Sequence, residues 1–152
     1  MSEVSAQPAP LLELLRQEHV VLQQLLRAES ALSRSLLSMH AEGMDASLAL
    51  VVRAQDALMA QRDRRDQALQ DLFAGGGRRS VEQVLECLPE SQRPGLQQEL
   101  TRVRQGWSQW STLRQRNLGH AARGRVLLHQ LSTAGPASST YGARHGRAMV
   151  RP

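Results

Sequence analysis

This 152-residue chain predicts an all-α fold: an elongated antiparallel helical bundle or coiled coil of three long helices plus one short helix, with a flexible C-terminal tail. Three observations lead there. Apolar residues recur in alternating steps of three and four over long stretches, as in helices that share a seam. Leu is abundant while Phe and Tyr occur once each and Trp twice, and so few aromatic and β-branched residues argue against sheets. Helix breakers gather at a few places, Gly43, Gly75-Gly76-Gly77, Pro89 and the stretch after Ala134. These divide the chain into a disordered lead (1–9), a helical bundle domain (10–133) and a flexible basic tail (134–152).

The first helix is read from Leu11 to Met39, with a seam of Leu11, Leu15, Glu18, Leu22, Leu25, Glu29, Leu32, Leu36 and Met39. At about 1.5 Å per residue it is roughly 45 Å long. Glu18 and Glu29 interrupt the seam. They stand roughly 16 Å apart along the axis, too far to share acid–base work, and are expected to face arginines of the last helix or to mark a partly exposed seam.

After Glu42-Gly43, Asp45 is a plausible N-cap for a second helix running to about Phe73. Its expected inner face carries Leu48, Val52, Ala57 or Leu58, Gln61, Arg65, Ala68 or Leu69, and Leu72. The charged stretch Gln61 to Asp66 reads as a solvated face with Arg–Asp pairs. The three glycines then form a flexible joint. No strand precedes them and no Lys follows, so they do not make a phosphate loop. Ser80 and Gln83 form a capping box that opens a short helix, Val81 to Leu88, and Pro89 ends it. Cys87, the lone cysteine, is expected half-buried there and excludes a disulfide framework or a Cys-based metal site.

The final helix begins near Ser91 to Pro94 and runs to about Ser132. Its seam is well filled from Leu96 through Leu100, Val103 and Trp107 to Trp110. It weakens over Arg114, Asn117, Ala121 and Gly124, where Gly119 and Gly124 each cost about 1 kcal/mol of helicity relative to Ala. It is apolar again from Val126 to Leu131. A helix with an apolar end beyond a weak middle is suited to offer that end to another molecule.

Charge is uneven. All nineteen basic residues are Arg, and the net charge is +5. Residues 1–73 carry seven Arg against ten acids, while 74–152 carry twelve Arg against four acids. Such a surplus attracts an acidic partner, protein or nucleic acid. The two tryptophans fall on the seam while the arginines spread around the helix, which favours a core role over base stacking. Nucleic acid is therefore the secondary reading, as a small helical nucleic-acid-binding protein using the Arg-rich C-terminal third.

Chemistry is sparse. The five histidines form no HExxH, the Glu-x-x-His motifs of di-iron bundles are absent, and the serines offer no GxSxG. We expect no catalytic residues, no metal, no cofactor, no small-molecule substrate and no enzyme activity. The first ten residues have neither a basic n-region nor an apolar h-region, so no signal peptide is expected. The longest strictly apolar run, Leu48 to Val52, is far short of a membrane span, and a cytosolic protein is expected.

Four stretches together resemble the FlgN family of flagellar type III export chaperones. They are LLRAESAL at Leu25 to Leu32; Arg53, Arg65 and Leu69 of the second helix running into Phe73-Ala74-Gly75; Asn117 of the final helix; and Thr140-Tyr141-Gly142 followed by Gly146. The likeness covers most of the chain from about Leu11 to Gly146. His120 stands where the family commonly has a second Asn, and YGARHG is one residue longer than the family's tail motif. The resemblance implies a cytosolic chaperone that binds the C-terminal helices of hook-associated proteins (the hook–filament junction proteins). It would prevent their premature assembly and deliver them to the cytoplasmic domain of the export gate. A client helix would lie in a groove between chaperone helices. Leu127, Leu128 and Leu131 are the expected anchors, Asn117 and His120 the polar contacts that fix register, and Tyr141 a contact for client or gate. The same leucines could instead close the protein's own bundle.

Overall fold

In the computed structural model, residues 9–73 and 80–133 are described, and they are helical with no strand among them. The long helices are α1 (Ala9–Ser38), α2 (Ala41–Leu72) and α4 (Arg93–Thr133), with the short α3 (Val81–Cys87) and a 3-10 turn (Glu90–Gln92) between the last two. Apart from Ala9, which opens α1, the lead and the tail lie outside the described residues, as does the three-glycine joint.

α1 is the central helix. It packs along both α2 and α4, which have little contact with each other. Leu11, Leu15, Leu22 and Leu25 of α1 are fully enclosed, meeting Val51, Leu58 and Leu69 of α2 and Leu96, Leu100 and Val103 of α4. α2 runs antiparallel to α1 and α4 parallel to it, an up-down-up bundle. The α1–α4 crossing is close because Gly106 has no side chain, and a Cβ there would lie 3.1 Å from Leu22 Cδ1.

The α1–α2 turn is two residues long. His40 N–H bonds Ser35 O at 3.1 Å and Met39 N–H bonds Leu36 O at 3.4 Å, the paired bonds of a Schellman end. Met39 holds the left-handed position with φ 51°. The N-cap of α2 differs from expectation: it is His40, whose Nδ1 accepts the Gly43 N–H at 2.9 Å. Asp45 lies inside the helix, and Gly43 does not break it. A Cβ on Gly43 would come within 2.6 Å of that imidazole, so the glycine admits the cap. The Ser80–Gln83 capping box forms as expected, with both reciprocal bonds present. Cys87 is exposed rather than half-buried, because Val81, Val84 and Leu88 occupy the inner face of α3.

Asn117 pairs with Glu29, 88 positions earlier. At equal rise the end of α1 at Ser38 therefore comes level with about residue 126, and about two turns of α4 extend past the α1–α2 turn.

Candidate functional site

Because α2 and α4 both pack on α1 but scarcely on each other, a groove runs between them with α1 as its floor. Its two ends differ. At the lower end α3 fills it in part, burying Val81 and Val84 and pairing Glu82 with Arg104 of α4, beside a cavity of about 480 Å³ lined by Arg62, Arg65, Asp66 and Arg104. At the upper end no described element covers it, and a cavity of about 360 Å³ remains open. Leu32 and Leu36 form its floor, Met44, Leu48, Val51 and Val52 one wall, and Leu118 and Ala121 the other. Leu48, Val52 and Leu118 are 51%, 48% and 62% exposed. The stretch 44–55 gives this wall a length of about 17 Å, some three helical turns.

The expected inner face of α2 holds from Leu58 through Gln61, Arg65 and Leu69 to Leu72, and differs only in the first turns. Val51 and Leu58 point into the core, while Leu48 and Val52 point to the groove. The signal was present in the run Leu48 to Val52, which is apolar on every side of the helix. One stripe of so short a run fits the core, and the rest must face outward.

Two buried carboxylates mark the floor of the groove. Glu18, 0% exposed, accepts from Arg65 Nη1 at 2.9 and 2.6 Å and from Trp107 Nε1 at 2.9 Å. Its cation thus comes from α2, not from the last helix. Glu29, also buried, accepts from Asn117 Nδ2 at 2.7 Å and Trp110 Nε1 at 3.3 Å. Among the described residues it faces no arginine as an ion pair. The two indoles meet edge to face with centroids 5.4 Å apart, and Arg114 stands over the Trp110 ring at 5.2 Å. Each tryptophan is therefore half core and half hydrogen-bond donor.

The residues expected to bind a partner divide. Asn117 is buried, and its amide is held by the Glu29 carboxylate and the Glu29 carbonyl (2.9 Å). Both partners are acceptors, so the orientation of the amide is fixed, and Asn117 Oδ1 has no partner among the described residues. His120 is partly exposed near Arg123, with Nδ1 3.1 Å from its Nη2. Leu127 and Leu128 are 52% and 58% exposed, on the part of α4 that outruns α1. Leu131 belongs to α4, but its side chain and the whole of Tyr141 lie outside the described residues. Leu127 and Leu128 are thus more than half exposed among the described residues, and the open cavity lies lower, around Leu118.

No helix among the described residues is long and apolar enough to cross a membrane. Among the same residues no three His, Cys, Asp or Glu side chains gather as a metal site would require. Set against protein-family models, curated proteins and solved structures, the chain matches none of them.

Proposed function

We propose that this chain is a non-catalytic cytosolic chaperone of the flagellar export type, which holds an amphipathic helix of a client in the open upper groove. The observation that carries the reading is that groove: an apolar trough about three turns long, walled by Leu48, Val52 and Leu118 at roughly half exposure or more. Burying such half-exposed side chains contributes about 1 kcal/mol each, enough with a few anchors for a reversible complex. α3 supplies a partial internal precedent, since it packs as a helix on α4 at the other end with Val81 and Val84 buried. Support also comes from the residues that carry the FlgN resemblance. Glu29 and Asn117, from two separate stretches of it, bond to each other, and Arg65 from a third bonds Glu18.

In this reading the clients are the C-terminal helices of hook–filament junction proteins. Val126, Leu127 and Leu128 extend the apolar surface past the groove, toward client or export gate. The nucleic-acid alternative is less well supported, because both indoles pack partly buried against the core and Arg114 lies over the face of Trp110.

The test is co-expression with a hook–filament junction protein. A soluble complex is expected from the intact chain, and none from the Leu48→Ser/Leu118→Ser variant. A complex of full strength with that variant sinks the groove assignment; no complex with the intact chain sinks the function.

A further inference from the structure

Glu18 and Glu29 are a near-repeat on α1. They stand eleven residues apart, about three turns, and so project from nearly the same face. Each accepts an indole N–H from α4, Trp107 for Glu18 and Trp110 for Glu29. They differ in the third partner. At Glu18 a cation arrives from α2, Arg65 Nη1 at 2.6 Å. Eleven residues before Arg65 on the antiparallel α2 stands Ala54, which has no charge to give. Glu29 receives only the neutral amide of Asn117, and that amide leaves its own Oδ1 buried and unpartnered among the described residues. Glu29 has no ion pair among the described residues, and the nearby Arg114 sits over the Trp110 ring.

Both Glu29 and Asn117 line the open groove. We propose that the helix received there carries one basic side chain, Arg or Lys, within its apolar stripe, and that this cation completes Glu29 as Arg65 completes Glu18. The inference rests on the groove being a helix-binding site. Depth is no obstacle. Arg65 reaches a carboxylate with no exposure from a position that is itself 17% exposed, and a long basic side chain lays its methylenes along apolar walls while its head finds the charge. The consequence is register. A wholly apolar stripe leaves a buried carboxylate without a cation, and an acidic residue there is repelled. One buried polar pair thus selects one alignment among those that leucine packing allows.

A panel of fluorescein-labelled amphipathic peptides tests this against the full chain by anisotropy. All share apolar residues at i, i+3, i+4 and i+7, and each stripe position is replaced in turn by Arg, Gln or Glu. At one stripe position the Arg peptide is expected to bind about tenfold tighter than its Gln counterpart, a difference of about 1.4 kcal/mol, with the Glu peptide weakest. In Glu29→Gln, checked for fold by circular dichroism, that preference is expected to fall below about threefold. Peptides that bind equally whatever the substituent overturn the cation proposal and leave the groove standing. Failure of every peptide to bind overturns both. A preference for Arg that persists in Glu29→Gln also overturns it, since another acid, such as Asp45 at the groove wall, would then be the partner.

Discussion

Arg65 of α2 and Glu18 of α1, 47 positions apart in the chain, form the best-enclosed ion pair among the described residues, with Nη1 2.6 Å from one carboxylate oxygen and 2.9 Å from the other. Glu18 is completely buried, and Trp107 adds a third hydrogen bond from α4. One carboxylate therefore ties all three long helices together. Its removal from water is offset only while those partners stay in place.

Breaking the pair from the cation side should be costly. Arg65→Met leaves Glu18 buried with an indole alone and is expected to lower unfolding free energy by about 3–5 kcal/mol. Adding Glu18→Leu to that variant should recover much of the loss, because two apolar side chains then replace the pair. Urea denaturation measures both, and a double variant no better than Arg65→Met would refute the account.

The Asn117–Glu29 contact makes a second, graded prediction. Asn117→Leu removes one donor to a buried carboxylate and should cost about 2 kcal/mol. Asn117→Asp keeps the size of the side chain but sets a second carboxylate against the first, and should cost more than the Leu substitution. Equal stabilities for the two variants would mean that the amide matters only for packing.

Met39 offers a stabilising change. It occupies the left-handed position of the helix end with φ 51° and is 52% exposed, so little packing is lost on its removal. Met39→Gly should raise stability by about 1 kcal/mol by relieving the Cβ conflict. Thermal unfolding decides this, and a lowered midpoint would show that the exposed side chain contributes more than the strain.

The overhanging end of α4 should be dispensable for folding. Leu127→Ser/Leu128→Ser is expected to change unfolding free energy by no more than about 0.5 kcal/mol, because both side chains are more than half exposed. Weaker client capture with unchanged stability would place these leucines in the client or gate contact. A large loss of stability would return them to the chain's own bundle.

The spacing of leucines was a reliable guide where a helix has one inner stripe. The seams Leu11 to Leu25 and Leu96 to Val103 are buried as their three-and-four steps require. The same rule held on α2 from Leu58 to Leu72 but failed in its first turns, where Leu48, Leu50, Val51 and Val52 give several stripes of equal merit and only contact with α1 chooses Val51. Sequence also singled out Asn117 and the two seam carboxylates as anomalies. It could not assign their partners, because a hydrogen bond across 88 positions has no local signature.

What the sequence by itself determined is the all-α character, the span of the final helix and the Ser80–Gln83 cap, all properties of short stretches with their own periodicity and end chemistry, whereas the start of α2 after His40 was not among them. The tertiary structure decided where the groove opens and what lies in it. α3 is too short to reach the other end, and no described element covers the groove beside Leu48 and Leu118. The pairing of Arg65 with Glu18, and the lack of such a cation at Glu29 among the described residues, follow from how three separate helices align.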